Sequence, residues 1–158
     1  MTVRAARHKR GVQRAMEKIL VIDDEAVIRR MLVRLLVKEA YRVLTASNGK
    51  EGIETMEKEK PDLIVLDLKM PHMDGIETLK RIRAVNNEVV VIILTAYGTT
   101  HTAAEAMKLG AHDFISKPFD ITRVRVSIRN AVELQRLANE IARARSKLRS
   151  KASSHRKP

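Results

Sequence analysis

The chain has 158 residues, 44% of them apolar and 32% charged, with no Cys and a formal net charge of +12. That length suits one domain with a real core. The lack of Cys excludes a disulfide framework and thiolate chemistry, and no apolar run reaches the roughly 18 residues needed to span a bilayer. Such a charge would ordinarily point to nucleic acid, but Lys+Arg against acids number 5 to 1 in residues 1–17, 15 to 16 in 18–120 and 11 to 2 in 121–158. The globular part is therefore close to neutral and the ends are basic. The leader MTVRAARHKR lacks the apolar stretch of a secretory signal, so the cytoplasm is the expected location, with no membrane partner.

In chain order, residues 1–17 read as a basic N-terminal extension, and ILVID (19–23) is the first strand candidate. Glu25 to Glu39 puts Val27, Met31, Leu32, Leu35 and Leu36 near one helical face. YRVLTA (41–46) is a second strand, 49–59 a helix, and DLIVLD (62–67) a third strand. A helix over 75–85, the strand VVVIILT (89–95), a helix over 99–109 closed by Gly110, and the strand DFIS (113–116) follow. Strands three and four are continuous apolar runs, as central strands need when helices bury both faces of a parallel sheet. From Ile121 the chain is helical for longer than one domain requires. Ile121, Val124, Ile128, Ala131 and Val132 form a sheet-covering stripe. Leu134, Leu137, Ile141, Ala144 and Leu148 then follow 3-4-3-4 spacing, about 150° round the helix from the first stripe. The expected organisation is a domain over 18–132, a helical extension with coiled-coil spacing over 133–149, and a basic disordered tail over 150–158.

Ligands of a parallel α/β sheet bind at the carboxyl edge of its strands. Asp23 and Asp24 end the first strand, Asp67 the third and Thr95 the fourth, and Lys117 follows the fifth. Three carboxylates without a counterion repel each other. An oxygen-only donor set suits Mg²⁺, with Mn²⁺ an alternative, rather than zinc. Lys117 and Thr95 offer an ammonium and a hydroxyl to the oxygens of a phosphoryl group, and a carboxylate can itself be the nucleophile, giving an acyl phosphate. Taken singly, each has a plainer role: Asp24 as a helix N-cap, Thr95 as a turn residue, Lys117 as a solvated cation.

The motifs ILVIDDE, DLIVLDLKMPHMDGIE, VIILTAYGT and DFISKPFD, with 43 residues from Asp24 to Asp67, 28 from there to Thr95 and 22 more to Lys117, resemble the receiver domain of bacterial two-component response regulators. The resemblance covers residues 18–120. It implies a doubly wound, flavodoxin-like five-stranded sheet of order 2-1-3-4-5. It also implies that Asp67 is the phospho-acceptor, fed from the phosphohistidine of a sensor histidine kinase or phosphotransfer protein. Asp24 would bind Mg²⁺ directly, Asp23 largely through water, and the backbone carbonyl of Lys69 would add a ligand. Thr95 and Lys117 would bind the phosphoryl oxygens, Phe114 would turn inward as Thr95 moves, and the Lys117–Pro118 bond would be cis. On this reading the chain catalyses only its own phosphorylation and dephosphorylation. Lys69 and Tyr97 occupy positions that gate attacking water in relatives.

What such a receiver controls stays open. AYGT, KPFD and the long last helix resemble receivers of enhancer-binding transcriptional activators, so a fragment of such a regulator and a single-domain regulator are both consistent with the sequence. A haloacid-dehalogenase-type phosphatase would need a second Asp two residues after its nucleophile, where Lys69 stands. RARSKLRSKASSHRKP carries 7 Lys+Arg in 16 residues, and without an aromatic to stack on bases it is expected to bind nucleic acid weakly if at all. The 3-4-3-4 seam predicts a homodimer through the last helix.

Overall fold

The computed structural model describes residues 16–96 and 98–155. Most of the 1–17 extension, Tyr97 and the last three residues of the expected tail lie outside them. Five strands, β1 (Lys18–Ile22), β2 (Arg42–Ala46), β3 (Leu63–Leu66), β4 (Val90–Thr95) and β5 (Asp113–Ser116), alternate with α1 (Ala26–Lys38), α2 (Gly49–Glu59), α3 (Gly75–Val85), α4 (Thr100–Lys108) and α5 (Ile121–Ser154). All pairings are parallel and the order is β2-β1-β3-β4-β5. This is the flavodoxin-like arrangement that the motifs implied.

Side chains alternate across a strand, so each central strand divides its apolar residues between two cores. Leu20, Ile22, Ile64, Leu66, Val91 and Ile93 pack with Met56 of α2, Leu79 and Ile82 of α3 and Ala106 of α4. Ile19, Val21, Leu63, Val65, Ile92 and Leu94 pack with Leu32 and Leu36 of α1 and with Val124, Ile128, Ala131 and Val132 of α5. Helices α2, α3 and α4 thus cover one face, and α1 and α5 the other.

Four helices start on a side-chain cap. Asn48, Asp74, Thr99 and Asp120 accept from the amides of Glu51, Glu77, Thr102 and Thr122. The fifth, α1, has Glu25 at its N-cap with no side-chain cap bond, so Asp24 is not the N-cap that its position allowed. Val27 and Ile121 also depart from expectation, at 66% and 45% exposed. Each lies at the first turn of its helix, beyond the sheet's carboxyl edge, where no strand lies beneath it. With Phe119 they line a cleft of about 420 Å³ between α1 and α5, rimmed by Arg30, Arg34 and Arg125.

The last helix continues to Ser154, so residues 150–154 are helical and not the disordered start of a tail. Ser150, Ser153 and Ser154 return their hydroxyls to the carbonyls of Lys147, Ser150 and Lys151, three residues back in the same helix. Among the described residues no helix is long and apolar enough to cross a membrane.

Candidate functional site at the carboxyl edge of the sheet

Each site residue is placed by the ladder beneath it. Asp23 follows β1 and donates its amide to Ala46 at 3.1 Å, Asp67 follows β3 and donates to Ile22 at 2.9 Å, and Lys117 follows β5 and donates to Thr95 at 2.8 Å. Since β1 and β3 are neighbours, Asp23 and Asp67 stand side by side. Thr95 ends β4, where Ile93 pairs with Leu66, so it stands level with the residues just past Asp67. The Lys117–Pro118 peptide at the start of the next loop is cis.

Asp23, Asp67 and Thr95 are 2%, 3% and 0% exposed, an unusual concentration of polar groups in so apolar an interior. Lys117 reaches into it. Its ammonium lies 2.8 Å from Asp23 Oδ2, 3.3 Å from Glu25 Oε1 and 3.5 Å from Asp67 Oδ2. The opposite oxygens are held by backbone: Asp23 Oδ1 accepts from the Glu25 amide at 2.8 Å and Asp67 Oδ1 from the Lys69 amide at 3.1 Å. Arg29 donates to the Asp23 carbonyl at 2.7 Å and ties α1 to the same loop.

Burial, with the nearby Asp67 charge, raises the Asp23 pKa although the bonds from Lys117 and the Glu25 amide oppose it. Burial alone would lower the Lys117 pKa, but the hydrogen bond to Asp23 and the charges of Asp23, Asp67 and Glu25 outweigh it and raise it. The ammonium is therefore the charged partner of the cluster.

Asp23, Asp24, Glu25 and Asp67 each offer a carboxylate oxygen, all within 4.8 Å of one another. Four carboxylates against one ammonium leave a net charge of about −3, and the donors are hard oxygens only. That set fits a divalent cation such as Mg²⁺ and has no sulfur or imidazole to favour zinc.

Lys69 is exposed, with its amide on Asp67 Oδ1. Phe114 is half-buried against the core on the α4 side, where a Cβ on Gly98 would come within 2.9 Å of its ring. Glu25 and Gly75 were not singled out from the sequence. The carboxylate of Glu25 joins the cluster although the residue opens a helix. At Gly75, an added Cβ would lie 2.2 Å from Leu68 Cα and 2.6 Å from the Asp67 carbonyl oxygen, so only glycine lets α3 start against the Asp67 loop. The DG pair before an apolar helix was the available signal.

The family model for the response regulator receiver domain matches residues 19–129. The chain is 42% identical over 119 residues to sporulation initiation phosphotransferase F of Bacillus subtilis, covering 75% of this chain and 96% of that protein. It is 36% identical over 127 residues to the regulatory protein AtoC of Escherichia coli, covering 80% of this chain and 28% of that longer protein, about a quarter of its length. Among solved structures, the CheX–CheY–BeF₃–Mg complex of Borrelia burgdorferi aligns with a TM-score of 0.71 at 27% identity, over 73% of this chain and 89% of that one. Five parallel strands in this order, an acidic edge with one inserted lysine, and a family match over most of the chain agree, and the chain belongs to the response regulator receiver family.

Proposed function

We propose that Asp67 accepts a phosphoryl group from the phosphohistidine of a sensor histidine kinase or phosphotransfer protein, and that the modification alters a protein-contact surface. The placement of the Lys117 ammonium within 3.5 Å of both Asp23 and Asp67 carries this reading. An Asp67 oxygen attacks phosphorus in line, the P–N bond breaks, and the imidazole leaves with its electron pair and takes up a proton. The product is an acyl phosphate on Asp67 and a free histidine.

Asp23, Asp24 and Asp67, with the Lys69 carbonyl, would hold Mg²⁺, which supplies positive charge to the phosphoryl oxygens when bound. Lys117 exchanges its bonds to Asp23 and Glu25 for a phosphoryl oxygen, and the Thr95 hydroxyl takes another. Movement of Thr95 then frees space toward which Phe114 turns, changing the face formed by α4 and β5. The cycle modifies the chain itself and has no other substrate. A donor protein reaches Asp67 past the exposed Val27 and Ile121, whose cleft gives it an apolar foothold beside the site.

With Mg²⁺ and acetyl phosphate, the intact mass should rise by one phosphoryl group, about 80 Da, and Asp67→Asn should abolish the gain. Equal modification of that variant would overturn the assignment. Asp24→Ala should weaken Mg²⁺ binding, and an unchanged titration would count against the metal site.

Pairing through α5 belongs to the same proposal. Leu134, Leu137, Ile141 and Leu148 are 52%, 54%, 54% and 68% exposed on one face, with Ala144 between them. Two heptads are marginal alone, so the paired receivers must contribute. Sedimentation should give a dimer for the intact chain and a monomer for Leu137→Glu with Ile141→Glu. Two monomers would remove the seam from the switch.

A further inference from the structure

The arginines of α5 that lie over the domain are matched to its acids. Arg123 pairs with Asp113 at 2.8 Å, Arg125 and Arg129 reach Glu39 at 3.0 and 3.5 Å, and Arg136 pairs with Glu17 and Glu133. Past Glu140 the balance changes. Arg143, Arg145, Lys147, Arg149 and Lys151 follow within nine residues, and no acid comes after Glu140 in the sequence. All five are exposed on a helix that runs to Ser154.

Their alternation in sequence becomes an ordered pattern on the helix. At about 100° per residue, Arg145 and Arg149 form one i, i+4 row centred about 80° from the Leu134–Leu148 seam. Arg143, Lys147 and Lys151 form a second row about 100° to the other side. The rows stand on opposite flanks. The back of the helix, opposite the seam, carries Asn139, Ser146, Ser150 and Ser153, all small and polar.

We infer that this end of α5 is a binding surface for the sugar-phosphate backbones of double-stranded DNA. A helix with its side chains is about 10–12 Å across, and the major groove, about 12 Å wide, admits one between two phosphate strands. Two opposed basic rows meet two strands, with the Asn/Ser face toward the groove floor. An anionic bilayer would meet both rows only with the seam buried in it, and between Arg143 and Lys151 that seam offers just Ala144 and Leu148, with no aromatic anchor. Like charges four residues apart repel along each row, and bound phosphates remove that repulsion. Nothing in the pattern selects a base sequence, so affinity comes from charge and falls steeply with salt. The inference rests on the helix alone, and neither on phosphorylation of Asp67 nor on pairing of two chains.

The test is fluorescence anisotropy of the full chain with a labelled DNA duplex of about 20 base pairs and arbitrary sequence across a salt series. If four of the five cations contact phosphates, the log–log salt slope is about −3.6, a loss of roughly 150-fold in affinity between 50 and 200 mM salt. Arg145→Gln with Arg149→Gln removes one row and Lys147→Gln with Lys151→Gln most of the other, and each pair should flatten the slope by about 1.8. Arg145→Lys with Arg149→Lys should bind as the parent does, which separates charge from any structural effect. Circular dichroism confirms that each variant keeps its helix. Unchanged slopes in both Gln pairs, no binding at 50 mM salt, or tighter binding to phosphatidylserine vesicles than to duplex would each overturn the inference.

Discussion

Replacing Asp67 by Asn should stabilise the protein in the absence of divalent cations while removing its chemistry. Asp67 shares a cluster with Asp23, Asp24 and Glu25 in which one oxygen of each lies within 4.8 Å of the others. At that widest separation and an effective dielectric of about 20, each like-charge pair costs about 3.5 kcal/mol. Three such repulsions oppose one attraction to Lys117 at 3.5 Å, worth about 5 kcal/mol on the same scale. The balance is a repulsion of about 5–6 kcal/mol. Solvent screens exposed Asp24 and 57%-exposed Glu25 and reduces it to roughly 2 kcal/mol. Urea unfolding in EDTA should therefore show Asp67→Asn more stable than the parent by about that amount. Saturating Mg²⁺ should stabilise the parent and leave the variant nearly unchanged, because the variant keeps less charge to hold the ion. A variant less stable than the parent in EDTA, or an equal response of both to Mg²⁺, would refute the electrostatic account.

Gly75→Ala should cost about 3 kcal/mol, because the added methyl meets the backbone of Leu68 and Asp67 and not a side chain that could turn away. A urea midpoint within experimental error of the parent would contradict that packing. Asp113 accepts from Arg123 and Ser127 side chains and from the Phe114 amide, and these bonds outweigh its burial and lower its pKa. Its contribution is therefore present above the unfolded carboxylate range, about pH 4, and is lost as pH falls through the lower folded value. Asp113→Asn should be destabilised by about 1–2 kcal/mol at pH 7, discounting the half-exposed Arg123, and by much less near pH 2.5. A gap that widens on acidification would show the sign to be wrong.

The sheet was legible because burial on both faces leaves apolar runs no other place. DLIVLD and VVVIILT became the central β3 and β4, shorter by one or two residues at their ends. Asp62 lies just outside β3, its carboxylate accepting from the Lys18 amide at 2.8 Å and its own amide donating to the Lys18 carbonyl at 2.9 Å, while β1 starts at Lys18 through its pairing with Arg42. Helical periodicity marked the face of α1 but not where the sheet beneath it stops, which is why Val27 and Ile121 were assigned to the core and are exposed. The edge residues Asp23, Asp67, Thr95 and Lys117 were readable from their positions at strand ends. Glu25 was not, because a helix-opening acid looks the same whether or not a lysine from 92 residues away reaches it. The helix beyond residue 149 was hidden by its charge: a run rich in Lys, Arg and Ser reads as solvated, while the Ala, Leu, Lys and Arg among them are good helix formers and α5 runs to Ser154.

The acidic edge is proposed to place one phosphoryl group on one carboxylate. After treatment with Mg²⁺ and acetyl phosphate, rapid borohydride reduction converts an aspartyl phosphate to homoserine, and peptide mass spectrometry locates it. Homoserine should form at position 67 alone, dependent on Mg²⁺ and reduced in Lys117→Ala. Homoserine at position 23 or 24, or at position 67 without any divalent cation, would contradict it.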